Sequence, residues 1–388
     1  MNRRECLAFL AGLTGAAFLP SARATDGNGK FALLVGQREA EQIATLVQQF
    51  MDKFDMPSLS VAIARHGKLL YRDAFGYADK DKRVSATPEH IYRIASISKP
   101  ITATAIFQLI ESGAIGLHDK VFGANAILER EFGTDLPDPV KEVTIYHLLT
   151  HTSGGWRNMK GDPMTSPAYL DHQRLIAMTL ANHRLEQTPG ASYNYSNFGY
   201  CVLGRVIEKV TGTKYDAYVK KNILEKSGIS GMEIAADAAD ERRPNEVVYY
   251  DSTGVNPYKV VIRRMDSHGG WLATPNDLVQ FGVAVTGQKT GVQILRADSL
   301  QTMMTPCPVF RSYACGWSVN NRPNWWHTGS LPGTTSLLVR TSSGFCWAAI
   351  ANARSEGSGQ ALDRLMWKIV QSVPMWQAKN ETASEIVG

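Results

Sequence analysis

Ser336-Leu337-Leu338-Val339-Arg340, Thr341-Ser342-Ser343-Gly344 and Phe345-Cys346-Trp347-Ala348-Ala349-Ile350 read together as two apolar strands joined by a turn, an antiparallel hairpin late in a chain of 388 residues. A matching signal lies near the start. Leu59-Ser60-Val61-Ala62-Ile63-Ala64 and Lys68-Leu69-Leu70-Tyr71 flank His66-Gly67. A helical stripe of Ile43, Leu46, Val47 and Phe50 precedes the first hairpin over about 37–54, and a helix over about 359–372 follows the second. Between them, from about 114 to 264, the pattern is of helices and long loops with no clear strand pair, and a helix near Pro275 to Val285 follows. Strands at both ends with helices between predict an α/β (α+β) fold: an antiparallel sheet formed by both chain ends, flanked by helices, with a helical insertion domain. The expected boundaries are a signal peptide over 1–24, a discontinuous α/β domain over 25–113 and 265–375, a mainly helical domain over 114–264, and a frayed tail over 376–388.

Working inward from the first hairpin, Ser96-Ile97-Ser98-Lys99 falls at a strand-to-helix junction, with Pro100 tolerated in the first turn and Gly113 as a stop. Residues i and i+3 share a helix face, so the Lys99 amine can sit beside the Ser96 hydroxyl and take its proton. Ser98 is better read as a capping or packing residue. Tyr195-Ser196-Asn197 follows Pro189-Gly190 and opens an apolar helix. A phenol serves as a base only if nearby positive charge lowers its pKa, which Lys99 is placed to supply, while the Asn197 amide suits both Lys99 and a substrate amide. Two segments compete for the remaining role of oxyanion hole and positive charge. Lys289-Thr290-Gly291 sits in a polar loop, whereas His327-Thr328-Gly329-Ser330 leads into the terminal hairpin and is preferred, because an edge strand can offer the Ser330 N–H together with that of Ser96.

Arg3 and Arg4, an apolar run to Leu19, and Ala22-Arg23-Ala24 read as a cleavable export signal, either twin-arginine or Sec, and predict a periplasmic or secreted protein. No later run approaches a membrane span, and a net charge of +5 without Lys/Arg clusters gives no support for nucleic-acid binding. The expected partner is a small-molecule or peptide substrate. Cys201 and Cys346 lie in apolar runs and read as buried thiols, while Cys307 and Cys315 are the candidate bridge. His147 and His151 are spaced i, i+4 but lack a third ligand, so a structural role is favoured and no metal is expected. His268, before Gly269-Gly270, reads as a loop hydrogen-bonder. Trp156, Trp271 and Trp326 are candidates for pocket lining.

Ser-x-x-Lys, Tyr-x-Asn and His-Thr-Gly, in this order and spacing, resemble the three motifs of the class C β-lactamase and DD-peptidase superfamily, whose sister form carries Ser-Asp-Asn and Lys-Thr-Gly. The stretches Val143-Thr144-Ile145-Tyr146-His147-Leu148-Leu149-Thr150-His151-Thr152-Ser153-Gly154, Pro189-Gly190 through Gly204, and Gly269-Gly270-Trp271 with Asp277-Leu278 resemble further family segments. The resemblance implies that Ser96 attacks a carbonyl to form an acyl-enzyme, that Lys99 and Tyr195 share the proton transfers, and that Tyr195 activates the deacylating water. It further implies that Asn197, His327, Thr328 and Gly329 orient substrate, that the Ser96 and Ser330 backbone forms the oxyanion hole, and that no cofactor is needed. Typical class C β-lactamases carry lysine where this chain has His327, whereas some DD-peptidases and D-amino-acid peptidases carry histidine. That difference argues against efficient β-lactam turnover, since an imidazole grips a carboxylate less firmly near neutrality. The chain also has no Glu-x-x-Leu-Asn element. Amide hydrolysis of the β-lactamase or DD-peptidase kind, carboxylester hydrolysis, and a non-turnover penicillin sensor are the three functions this leaves open.

Overall fold

The computed structural model describes residues 35–159, 161–287 and 292–377. The expected signal peptide, Lys289-Thr290-Gly291 and residues 378–388 therefore lie outside the described residues. Seven antiparallel strands form the main sheet: β1 (Ser58–Arg65), β2 (Lys68–Asp79), β3 (Val84–Ser85), β4 (Ser318–Val319), β5 (Trp325–Leu331), β6 (Thr334–Arg340) and β7 (Phe345–Ala351), in the order β3-β2-β1-β7-β6-β5-β4. The first and last long strands meet at its centre, with Leu59 opposite Ala351 and Arg65 opposite Phe345. The α/β fold anticipated from the two hairpins, a sheet built from both chain ends, is the one present.

Because strand side chains alternate, each strand feeds two cores. Leu59, Val61, Ile63, Leu337, Val339 and Trp347 face helices α1 (Gln37–Phe54) and α5 (Ser358–Gln371), which bring Ile43, Val47, Leu362, Met366 and Ile369. Ala62, Ala64, Leu338, Cys346 and Ala348 point the other way, into the larger core of α2 (Ser98–Glu111), α3 (Asn197–Thr211) and α4 (Pro275–Thr286). The small side chains on that face let α4 approach closely. A Cβ at Gly282 would stand 2.8 Å from Cys346 Sγ.

Two expectations need correction. The region 114–264 does hold strand: Glu233–Ile234 pairs with Trp271–Ala273, which also takes Tyr92–Arg93, in a small second sheet. Two-residue strands carry no readable alternation. At the other end, Trp376 is buried on a short helix, Pro374–Gln377, with its carbonyl accepting from Arg65, so the packed chain runs past the expected start of the tail.

Candidate active site

Ser96 sits in a 3-10 turn, Ala95–Ile97, that feeds directly into α2. Ala95 takes a left-handed φ of 50°, a conformation that alanine adopts only when its neighbours hold it there. Three hydrogen bonds do so: Ile94 N–H to the Trp271 carbonyl (3.0 Å), Ser98 Oγ to the Ala95 carbonyl (2.8 Å) and Ser336 Oγ to the Ile94 carbonyl (2.8 Å). Ser98 is thus spent on the turn, and Ser96 is left partly exposed. Strand β5 runs against this turn at Gly329, where a Cβ would meet the Ile94 carbonyl oxygen at 2.3 Å, so only glycine lets the strand come so near.

Lys99, one helical turn along, is fully buried. Its Nζ lies 3.0 Å from Ser96 Oγ, 2.7 Å from Asn197 Oδ1 and 3.0 Å from the His268 carbonyl oxygen. Burial drives its pKa well below the ordinary lysine value, against the opposing pull of Asp162. A neutral amine has two N–H groups and one lone pair. Asn197 Oδ1 and the His268 carbonyl can only accept, so in the neutral form they take the two N–H groups and leave the lone pair facing the Ser96 hydroxyl.

Tyr195 closes the other side, its ring beneath the Lys99 ammonium position at 4.8 Å. Burial raises its pKa, a hydrogen bond with Ser96 pulls it down, and Tyr193 pushes it up again. The Tyr195 pKa therefore moves up, where positive charge from Lys99 was expected to lower it. Desolvation acts on both groups, lowering the pKa of the amine and raising that of the phenol. Asn197 opens α3, its N–H donating to Asn158 Oδ1, and its Nδ2 has no hydrogen-bond partner among the described residues. Ser196 caps the helix by accepting from the Gly199 N–H.

His327 sits on β5, buried, with its pKa lowered to about 3 by burial first and by Lys99 second. Its Nδ1 lies 2.7 Å from the Thr328 carbonyl and its Nε2 lies 3.1 Å from Tyr313 Oη. Both nitrogens are occupied, so the expected cationic substrate contact at His327 is not supplied. The Thr328 and Ser330 side chains are exposed, and beyond Trp326 no strand pairs with β5 on the β4 side among the described residues, so that edge is open there.

The three tryptophans expected to line a pocket sit elsewhere. Trp271 is fully buried and donates to Tyr215 Oη, Trp156 packs on Phe122 and Phe198, and Trp326 points from the opposite face of β5 toward the cluster beneath the terminal helices. His268 offers its carbonyl to Lys99 while both its ring nitrogens are buried without a hydrogen-bond partner among the described residues, unlike the loop hydrogen-bonder expected. Cys201, Cys307, Cys315 and Cys346 are all free, buried thiols. His147 completes a capping box with Thr144.

Sequence reasoning missed four supporting residues. Asp162 is the carboxylate that acts on Lys99, and Arg264 holds its loop by donating to the carbonyls of Met164, Ser166, Pro167 and Leu170. Tyr313 and Asn158 bind His327 and Asn197. Only Asn158, near the Gly154-Gly155 turn, stood beside a segment already singled out.

With this geometry in view, a family model described as Beta-lactamase matches residues 43–371. Protein flp of Staphylococcus aureus (strain COL) is 26% identical over 342 residues, which cover 85% of this chain; the chain spans 66% of that protein's length, just under two thirds. Among solved structures, D-amino acid amidase from Ochrobactrum anthropi SV3, complexed with L-phenylalanine amide, superposes with a TM-score of 0.72 at 21% identity, covering 88% of this chain and 100% of that one. An octameric penicillin-binding protein homologue from Pyrococcus abyssi gives 0.67 at 25% identity, covering 87% and 80%.

Proposed function

The chain belongs to the β-lactamase family, and on that ground we propose that it is a serine hydrolase that cleaves amide or ester carbonyls through an acyl-Ser96 intermediate, on substrates that present no carboxylate to His327. The observation that carries this reading is the Lys99 Nζ, 3.0 Å from Ser96 Oγ and held there by Asn197 Oδ1 and the His268 carbonyl. Lys99 takes the Ser96 proton as Oγ attacks the carbonyl carbon, and the Ser96 and Ser330 N–H groups receive the developing oxyanion. Tyr195, bonded to Ser96, passes a proton to the departing amine or alcohol, and Lys99 returns to its neutral state. Water then attacks the ester, its proton travelling back along the same two side chains. Asn197 Nδ2 is the free donor for a substrate carbonyl.

A neutral His327 favours substrates whose scissile bond is flanked by uncharged groups, such as amino-acid amides and simple esters. Carboxylester hydrolysis is the second reading, supported by the apolar Tyr193–Phe310 stack, with ring centroids 4.1 Å apart, that borders Tyr313. The test is a panel of D-alanine amide, p-nitrophenyl butyrate, a D-Ala-D-Ala peptide and nitrocefin, run with wild type and Ser96→Ala. The expected result is turnover of the amide or the butyrate, poor turnover of the two carboxylate-bearing compounds, and loss of at least about 1,000-fold in Ser96→Ala. Equal rates in Ser96→Ala, or preferred cleavage of the peptide, would overturn it, and a stable nitrocefin adduct without turnover would establish a sensor instead.

A further inference from the structure

Four hydrogen bonds run without a gap from the Tyr195 segment to β5. The Ser196 N–H lies 3.1 Å from His151 Nδ1, His151 Nε2 lies 3.2 Å from Tyr313 Oη, Tyr313 Oη lies 3.1 Å from His327 Nε2, and His327 Nδ1 lies 2.7 Å from the Thr328 carbonyl. His151, Tyr313 and His327 are all buried. The two ends of the chain are main-chain groups whose roles cannot change: an amide N–H can only donate and a carbonyl can only accept.

Those ends set every proton between them. His151 Nδ1 must accept, so its proton is on Nε2 and is donated to Tyr313 Oη. His327 Nδ1 must donate, because a lone pair there would face a carbonyl oxygen at 2.7 Å, so Nε2 accepts the Tyr313 O–H. Tyr200, whose ring packs 5.1 Å from His151, gives its own hydroxyl proton to the Leu149 carbonyl, so toward Tyr313, which it also hydrogen-bonds, it is a second acceptor beside His327 Nε2 and not a donor. Tyr313 is itself well anchored: its N–H donates to the Phe310 carbonyl and its carbonyl accepts from the Cys307 N–H.

We propose that Tyr313 is a positioning residue for the hydrolytic reaction: its hydroxyl, held between His151 and His327, joins the two rings into a strut registering the Tyr195 loop against β5. This rests on the acyl-serine reading above. The strut is not a proton wire, since neither end can release or take up a proton. Its two ends flank the chemistry, one beside Tyr195 and Asn197, the other beside Gly329 and Ser330. It also withholds His327 from substrate, which is how a histidine stands in the third motif without providing a cation.

The decisive measurement is the tautomer of His327 in the unmodified protein, read from long-range 1H–15N correlations of imidazole-labelled histidine. The Nδ1–H form is expected, the reverse of the Nε2–H form that free imidazole side chains favour in water. An Nε2–H ring or an imidazolium at neutral pH overturns the proposal, whether or not any substrate is turned over. Tyr313→Phe removes the hydroxyl and keeps the ring. It is expected to lower kcat about 10- to 100-fold on the best uncharged substrate and to leave KM within about threefold, as a misplaced oxyanion strand would. The variant's rate profile should also move on its acid side relative to wild type, because the O–H facing His327 Nε2 is gone. The titratable groups facing that ring are Lys99 on α2, Tyr195 before α3, and His151. Wild-type kcat with an unchanged pH profile in Tyr313→Phe would overturn the positioning role. Should the variant not fold, the tautomer still decides.

Discussion

The two faces of the main sheet are both buried, yet they are made of different material. Toward α1 and α5 the strands present Leu59, Val61, Ile63, Leu337, Val339 and Trp347, all apolar and mostly large. Toward α2 and α4 they present Ala62, Ala64, Ala348 and Cys346 together with the larger Leu338 and Ile350, and beside these stand Ser60, Ser336, His327 and the Lys99 amine. Large side chains close one face and supply stability. Small and polar ones leave the other face close enough to the Ser96 turn for hydrogen bonds to cross. The contrast separates residues whose loss should unfold the protein from residues whose loss should silence it.

The largest expected effect lies on the polar face. Lys99→Met, which keeps the length of the side chain and removes its lone pair, should lower kcat/KM about 10^3- to 10^5-fold with circular dichroism unchanged. In wild type the same amine should set the acid limb of the rate profile. Its lowered pKa means that the active neutral form is lost only as pH falls through that depressed value, and activity stays level above it because Tyr195 remains protonated. A Lys99→Met enzyme retaining more than a tenth of the activity would break the assignment of the base.

On the apolar face, Leu337→Ala should cost about 2–5 kcal/mol of stability in urea unfolding while leaving kcat within about twofold, since the cavity opens away from the site. A comparable loss of kcat would show that the two faces are coupled through the sheet.

A smaller effect per unit of pH sharpens the same contrast. His151, His268 and His327 are each buried with depressed pKa values, burial being the first cause in every case. For His327, with an ordinary value of 6.5 and a folded value of about 3, the unfolded chain binds more protons between those limits. Stability is therefore full above about pH 6.5 and is lost as pH falls toward 3, at up to about 1.4 kcal/mol per pH unit for each such ring. Urea midpoints measured across this range should fall with pH, and His327→Gln should flatten part of the slope. An unchanged slope in that variant would mean that His327 does not titrate out of the fold.

The strands, the terminal helices, and Ser96, Lys99, Tyr195 and Asn197 were legible because each carries a local signal: alternation, a 3.6-residue stripe, or a motif whose spacing has geometric meaning. Asp162, Arg264 and Tyr313 were not, because single polar residues in loops look the same whether they face solvent or a buried amine. The pocket-lining tryptophans failed for a related reason. Trp156, Trp271 and Trp326 stand near motifs in sequence, but strand parity and helix packing turned each of them into a core.

Residue order by itself determined that a hydroxyl and an amine share one helical turn and that two hairpins bracket a helical middle, since these depend only on fixed backbone periodicities. The charges in the site were decided by tertiary structure alone. The ionisation of Lys99, Tyr195 and His327 depends on how completely water is removed and on which fixed donors and acceptors replace it, and those come from segments up to about 170 residues away, as with the carbonyl of His268 on Lys99.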